Sequence, residues 1–578
     1  MTLNQFWLKQ SKLIVWDKTP KIAFKKKSQN RVNWFPDGKL NIFKNCITNN
    51  LDLGLKKKIA VYNVDKYKKI KSYTYENLNE SINNFSFFLV RILKHKLNNT
   101  KIIIHGSASI ETTVTMMACA KLGLHFSVIF EDLAPEAISK RIKLIKPTLF
   151  ITRIEKKEFE KKFFRRLNYK NNLKFIFLKN LKFSKPKSNY SKLINRSFKS
   201  DKDFFTLFTS GTTGNPKGIV HSSGGYLVAT KLTCQRQFGM NKDSVVVTAS
   251  NAGWLNGHTY ALFGPLSFGA TTILLEDPMS LLDEDLLKKI LGLKVSILYL
   301  PVTIIRLMKS LFNGKSFKTN YLKTLGSMGE HLAPSVAEWF AKTFTNKNNA
   351  IVNAYYQTEN GAIISSPTFK DKISKMPHGS VGRTVTKYLK VNSVKKNIKT
   401  ELKLTTPWPG NMKRILNGKK EWDKYWDNKG NFRMFDLATK KNNNLFVHGR
   451  NDDVINIRGH RIGCEEIESI ILTIKKIFEC CVISLPDKFE GEIIYLFLST
   501  KEKNLDSQIR KKIVDNFGSF AIPSKIFYVN ELPKTRSGKI LRKLLRNMLT
   551  KPNAIKKSDL NVMVNKKIFY QIINQIKK

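Results

Sequence analysis

Between residues 100 and 301, short apolar runs alternate with helix-like stretches, and this alternation restricts the fold more than any other feature of the 578-residue chain. The runs are "KIIIHG" (101–106), "HFSVIF" (125–130), "TLFIT" (148–152), "KFIFL" (174–178), "SVVVTAS" (244–250), "ATTILLE" (270–276) and "VSILYLP" (295–301). They are continuously apolar, as strands covered on both faces must be, and such strands belong to parallel sheets flanked by helices. The stretches between them ("ETTVTMMACAKLG", "AISKRIKLI", "DEDLLKKILGL") read as helices. The fold class is therefore α/β. Residues 1–450 read as a large multi-subdomain α/β domain. After "HGRNDD" the pattern becomes strand, helix, two strands, helix and a basic tail, so 451–578 read as a small α+β domain. The Lys-rich stretch 153–202 reads as a variable surface excursion.

Composition removes several function classes. No run approaches the roughly 18–20 apolar residues that span a bilayer. "VSILYLPVTII" (295–305) is short and broken by Pro301, so no membrane insertion is expected. The start, "MTLNQFWLKQSKLIVWD", lacks the pattern of a secretory leader. The six cysteines (46, 119, 234, 464, 480, 481) form no CxxC pair, so they read as reduced thiols of a cytoplasmic protein. Nine histidines form no HExxH or His/Cys ligand cluster, which leaves zinc unsupported. The net charge is +57, but lysine and asparagine are enriched throughout rather than along one stripe. That spread reads as the bias of an AT-rich genome, and no specific nucleic-acid partner is expected. The field still speeds capture of anionic substrates. Nothing in the sequence sets an oligomeric state.

The stretch "TLFTSGTTGNPKG" (206–218) follows an apolar run and has the makings of a phosphate loop. It is not a Walker loop: Pro216 stands where that pattern needs glycine, and Lys217 is followed by Gly218 instead of Ser or Thr. Gly211, Gly214 and Gly218 allow backbone N–H groups to turn towards an anion. Thr209, Ser210, Thr212 and Thr213 supply hydroxyls, and Lys217 supplies a cation. The preceding "FFTLF" reads as a strand, at whose carboxyl end α/β folds bind ligands.

The stretch "TLFTSGTTGNPKGIVH" resembles the signature loop of the AMP-forming acyl-adenylate enzymes. Three further motifs follow in order: "YYQTENG" (355–361), "VHGRNDDVINIRGHRIG" (447–463) and "LPKTRSGKI" (532–540). The acetyl-CoA synthetase branch is resembled over nearly the whole chain, in "WFPDGKLNIFKNC" (34–46), "GWLNGHTYALFGPLSFGATTILLE" (253–276), "GSMGE" (326–330) and "FGSFAIPSKI" (517–526). The resemblance implies a two-step reaction. A short carboxylate attacks the α-phosphate of Mg²⁺-bound ATP to give acyl-AMP and pyrophosphate. A mobile C-terminal domain then turns, and the thiol of CoA takes the acyl group.

The resemblance also implies residue roles. Thr358 and Glu359 approach ATP, with Glu359 serving Mg²⁺. Gly329, Glu330 and Tyr355 fall at the adenine, and Asp436 holds the ribose hydroxyls. Arg450 contacts ribose or phosphate, Gly459 lies in the same nucleotide motif, and Arg461 reaches the phosphates in one domain orientation. Asp452 sits at the hinge, and Lys539 contacts carboxylate and α-phosphate in the adenylation transition state. Trp254, Leu255, Asn256, Met328 and Tyr356 shape the acyl pocket. Acetate enzymes usually carry tryptophan where Tyr356 stands, so the bulk of Tyr356 favours a short acid. Acetate, propionate and a small polar acid all remain open, because one methylene is worth only roughly 1–3 kcal/mol in such a pocket. One departure concerns CoA. Glu131 and Asp132 stand where two glycines are usual, and two carboxylates oppose a polyanion unless nearby lysines compensate. An adenylating ligase with another acid, such as acetoacetate, or a non-CoA acceptor is the alternative, and a basic nucleic-acid-binding protein on a degenerate fold is the third reading.

Overall fold

Among the described residues, the apolar runs build two seven-stranded sheets. The computed structural model describes residues 1–578 except 29–30, 95, 164–166, 168–172, 179–195, 211–215, 347, 397, 451–453, 458–459, 488–490, 503, 536–537, 556–559, 561–562, 564 and 578. The first sheet runs Arg414–Ile415, Pro216–Ser222, Asp203–Ser210, His125–Ile129, Lys101–His105, Leu149–Thr152, Lys174–Phe177. Its last five strands are parallel, and Pro216–Ser222 lies antiparallel to both neighbours. The second sheet runs Val352–Asn353, Thr324–Met328, Ile297–Pro301, Val245–Thr248, Thr271–Leu275, Ile59–Val64, Ile70–Thr74, and only the last pair is antiparallel.

The burial explains the apolar runs. Ile102, Ile103 and Ile104 are all fully buried, so neither face of that strand meets water. The helix Ile110–Leu122 that follows starts where the Ser109 hydroxyl accepts from the Thr112 N–H and stops at Gly123, whose φ of +66° few other residues adopt. Pro301 ends one strand and starts the helix Val302–Leu311. That boundary decides what the helix presents to the C-terminal domain.

The excursion read at 153–202 is only partly an excursion. Lys174–Phe177 is an edge strand of the first sheet, and Phe159 on the helix Lys156–Lys162 is buried in a core with Phe150 and Ile138. Lysines between these apolar anchors hid them in the composition.

The C-terminal part carries its own cores, one from Ile455 to Ala521 and one from Cys481 to Ile572. A hairpin of Val454–Ile457 and His460–Gly463 leads into the helix Cys464–Ile471. Beyond it, Glu479–Asp487 pairs antiparallel with Gly491–Ser499, which pairs parallel with Lys525–Val529. The boundary expected at 450–453 meets residues 451–453, outside the described ones. All six cysteines are buried and none is in a disulfide, and burial alone pushes the Cys119 thiol well up. Among the described residues, no helix is long and apolar enough to cross a membrane.

Candidate active site

The phosphate stretch joins two antiparallel strands, with Thr209 opposite Lys217 and Ser210 opposite Pro216. It is thus a hairpin tip, not the strand-to-helix turn of a P-loop. Gly211, Thr212, Thr213 and Gly214 lie outside the described residues, as do Asp452 and Gly459. For Ser210, Arg450 and Arg461 only the backbone is described; Arg450 stands opposite Asp436 in the ladder, and Arg461 opposite Asn456.

Asn417 clamps the hairpin where it re-enters the sheet. Its Oδ1 accepts from the Gly218 N–H at 2.9 Å, and its Nδ2 donates to the Pro216 carbonyl at 2.9 Å. A Cβ on Gly218 would stand 2.8 Å from the Leu416 side chain, so this close approach requires glycine. Lys217 Nζ lies 3.3 Å from the Glu421 carboxylate and 5.4 Å from the centre of the Tyr425 ring. The Tyr425 hydroxyl donates to Glu359 Oε1 at 2.8 Å. Tyr425 therefore links the phosphate-loop lysine to the carboxylate expected to serve magnesium. Nothing in the sequence pattern singles out Tyr425 or Asn417, because each meets its partners only across the fold.

Magnesium is held by one or two carboxylates plus substrate phosphates. Glu359, a buried carboxylate beside the hairpin, fits the first requirement. Among the described residues, no group of three or more His, Cys, Asp or Glu side chains is placed to hold a metal by itself. His221, also unmarked by the sequence reading, donates through Nε2 to the Thr358 carbonyl at 2.8 Å. Burial pushes its pKa down to about 4, so it is neutral at pH 7 and pins the hairpin strand to the Thr358–Asn360 turn.

Asp436 Oδ2 accepts from the Tyr355 hydroxyl at 2.6 Å and from Gln357 Nε2 at 2.7 Å. The structure thus joins the 355–359 segment to the carboxylate expected at the ribose. Gly329 sits at φ +88°, and the Glu330 that follows is ion-paired with Arg306.

The residues expected at the acyl group gather around three tyrosines. Asn256 and Tyr260 lie four residues apart on the turns Leu255–His258 and Thr259–Phe263. Tyr260 packs edge-on against Tyr356 at 5.8 Å, and the Tyr356 hydroxyl is 3.3 Å from that of Tyr299. Met328 ends its strand opposite Pro301, two residues beyond Tyr299. Leu255 is buried on the first of these turns. Trp254 packs on Phe130 at 5.1 Å, which places the residue before Glu131 against the acyl wall. Burial raises the pKa of Tyr299, Tyr356 and Tyr260 well above the ordinary phenol range, so all three are neutral. Asn256 Oδ1 is buried with no hydrogen-bond partner.

Compensation for Glu131 comes from an arginine, not from lysines. The Glu131 carboxylate accepts from the Ser107 N–H at 3.2 Å and from Arg153 at 3.1 Å. Arg153 also reaches Glu111 at 3.2 Å and Glu276 at 3.0 Å. Three carboxylates thus share one guanidinium where the ends of the two sheets meet.

Lys539 is exposed on a tight turn in which Thr535 N–H donates to the Lys539 carbonyl and Gly538 N–H to the Thr535 carbonyl, both at 2.8 Å. The Thr303 hydroxyl donates to the Gly538 carbonyl at 3.3 Å, which sets the turn beside the helix that starts after Pro301. Gly538 has φ +81°, and a Cβ there would lie 2.7 Å from Thr303 Cγ2. Gly538→Ala is expected to lift the turn off Thr303. The left-handed strain of ~1–2 kcal/mol would make amide hydrogen exchange over 534–541 roughly tenfold faster, with the melting temperature little changed.

The fold and the site define a class: a two-domain ligase that activates an acid as its adenylate. The AMP-binding enzyme model matches residues 54–398, the AMP-binding enzyme C-terminal domain model matches 466–539, and the acetyl-coenzyme A synthetase N-terminus model matches 2–46. An acetyl-coenzyme A synthetase from Leptospira biflexa serovar Patoc is 30% identical, with 94% of this chain and 90% of that protein covered. One from Helicobacter pylori (strain P12) is 28% identical over 90% and 85%. The solved acetoacetyl-CoA synthetase from Streptomyces lividans shares the fold, with a TM-score of 0.81 at 16% identity over 100% of this chain and 92% of that one. The chain belongs to the AMP-binding enzyme family, in the AMP-forming acyl-CoA synthetase superfamily close to the acetyl-CoA synthetase branch.

Proposed function

We propose that the protein joins a short carboxylate to CoA through an acyl-AMP. In the first step a carboxylate oxygen bonds to the α-phosphorus of ATP, and the α–β phosphoanhydride bond breaks to release pyrophosphate. In the second, the CoA sulfur bonds to the acyl carbon, AMP leaves with the electron pair of the C–O bond, and the thiol proton is lost. Both first-step reactants are anions, so the barrier is largely electrostatic. Lys217, the hairpin N–H groups and Lys539 are the positive groups of this chain assigned to it. Mg²⁺, which Glu359 would hold, supplies further neutralisation of phosphate charge when bound. Asp436 is assigned to the ribose, Gly329, Glu330 and Tyr355 to the adenine, and Asp452 to the hinge.

One observation carries the reading: the Lys539 turn rests on Thr303, two residues past Pro301, whose strand partner is Met328 of the acyl wall. This docking supports assigning the Lys539 cation to the reacting carboxylate. Tyr356 closes that wall, which supports a short acid. The unpartnered Asn256 Oδ1 offers a polar tail an acceptor. The six buried thiols, none in a disulfide, suit a reducing compartment, and we place the enzyme in the cytoplasm.

The three carboxylates on Arg153 give the non-CoA acceptor its one supporting observation, since CoA is polyanionic. One experiment separates the readings: a panel of acetate, propionate, lactate, acetoacetate and longer acids, scored for pyrophosphate and thioester with and without CoA. Pyrophosphate and thioester from an acid of two to four carbons are expected. Pyrophosphate without thioester would favour another acceptor. No pyrophosphate from any acid would defeat the proposal.

A further inference from the structure

We propose that Arg306 is a positioning residue that couples the Gly329–Glu330 segment to docking of the Lys539 turn. Thr303 and Arg306 lie three residues apart on the helix Val302–Leu311 and so share one face. That face meets the C-terminal domain at Thr303, which holds the Gly538 carbonyl, and the buried Arg306 guanidinium beside it lies in the electrostatic field of Glu479 and Glu468. Glu479 in turn holds Lys534, with Nζ 2.6 Å from its Oε2, and Lys534 opens the segment that ends at Lys539. On its other side the Arg306 guanidinium pairs with Glu330. The charges thus run Glu330, Arg306, Glu479, Lys534 from the nucleotide segment across the domain boundary to the lysine turn.

The environment shows why this line needs its arginine. Glu479 is only 4% exposed, its Oε1 has no hydrogen-bond partner, and Arg306 Nε is buried without one too. Burial opposes the charge of Arg306, but Glu330, Glu479 and Glu468 together outweigh it and raise the pKa. The other charged groups nearby are committed. Glu468 takes Arg542 and the Val482 N–H, and His331, which also faces Arg306, is held neutral by burial with a pKa down to about 4. Without Arg306, Glu330 would lose its ion pair and the buried Glu479 would lose a positive charge from its surroundings, which weakens the docked orientation.

The kinetic side of this inference rests on the adenylation reading, whereas its structural side does not. The test uses the full-length protein, free of substrates, with Arg306→Met, Arg306→Lys and Thr303→Val. Hydrogen–deuterium exchange over 534–541 is expected to accelerate roughly 30-fold or more in Arg306→Met. Thr303→Val, which removes one hydrogen bond at constant shape, is expected to accelerate it roughly 3- to 10-fold. Arg306→Lys should keep part of the protection. In assays, acid-dependent ATP–pyrophosphate exchange should fall by similar factors, while thioester formation from supplied acetyl-AMP and CoA stays within about twofold of wild type. Unchanged protection in Thr303→Val and in whichever Arg306 variant folds would overturn the inference, as would equal loss of both half-reactions. Wild-type protein that exchanges pyrophosphate with no acid would instead defeat the adenylation reading, leaving the deuterium result to decide the docking.

Discussion

Lys539→Ala is expected to cut acyl-AMP formation by roughly 10²–10³-fold, the usual loss when one preorganised charge donor to a transition state is removed. The side chain is exposed, and its turn is held by backbone bonds, by the Thr535 hydroxyl and by Thr303, so the substitution removes a charge without unmaking the turn. Charge converges on the α-phosphorus only as the carboxylate attacks, so the loss should appear in kcat for ATP–pyrophosphate exchange more than in KM for ATP. Attack of the thiol on a preformed acyl-AMP makes no use of this lysine. Thioester formation from supplied acetyl-AMP should stay within about twofold of wild type. Exchange that survives in the variant would remove Lys539 from the role assigned to it.

Acidification from pH 7 to 5.5 is expected to destabilise the large domain sharply. Burial pushes the pKa of His105 and His258 down to about 3 and of His125, His221 and His331 down to about 4. Between the unfolded value near 6.5 and these native values, the unfolded histidines bind protons that the folded ones do not. Their contribution is therefore present at neutral pH and lost as pH falls through that window. Glu131 works in the opposite sense: burial raises its pKa, so the native state binds a proton that the unfolded state releases. The five histidines together take up roughly four to five protons on unfolding near pH 5.5, and Glu131 lessens this. At about 1.4 kcal/mol per proton and pH unit, the slope is on the order of 5 kcal/mol per unit. In the small domain, burial raises the Glu468 pKa to about 7, and this group's contribution has the opposite sign, lost as pH rises. Urea melts of the intact protein at pH 7 and 5.5 check this. A large-domain midpoint that is flat or rises on acidification would refute the histidine account, and His221→Gln should lessen the slope by about one proton.

Local chemistry made much of the fold legible. The strands at 101–105, 245–248 and 297–301 could be read because a strand buried on both faces must be apolar throughout, a constraint that acts residue by residue. The edge strand Lys174–Phe177 was readable from its short apolar run, although only Ile176 is buried and the lysines around it disguised the segment as surface. Lys217 was visible because it sits in a Gly- and Thr-rich loop, and Glu359, Asp436 and Lys539 were visible only through the motifs that carry the family resemblance. Tyr425, Asn417, His221 and Arg306 were not. Tyr425 stands 66 residues from Glu359, and Asn417 stands 199 from Gly218; their own neighbours place no special demand on them. The arginine that compensates Glu131 was hidden for a related reason. Lysine is everywhere in this chain, while Arg153 reaches three carboxylates only because the ends of two sheets meet there.

The amino-acid order alone determined the α/β class, the small second domain and a phosphate loop with its lysine, and its motifs carried the resemblance to adenylate-forming ligases. Each is written in contiguous stretches, where burial and turn formation act over a few residues. Only the tertiary structure decided that the hairpin strand is clamped by Asn417, that Tyr425 joins Lys217 to Glu359, and that Thr303 receives the Lys539 turn. Those are contacts between segments tens to hundreds of residues apart, and their existence depends on how the sheets and the C-terminal domain pack, which no local pattern encodes.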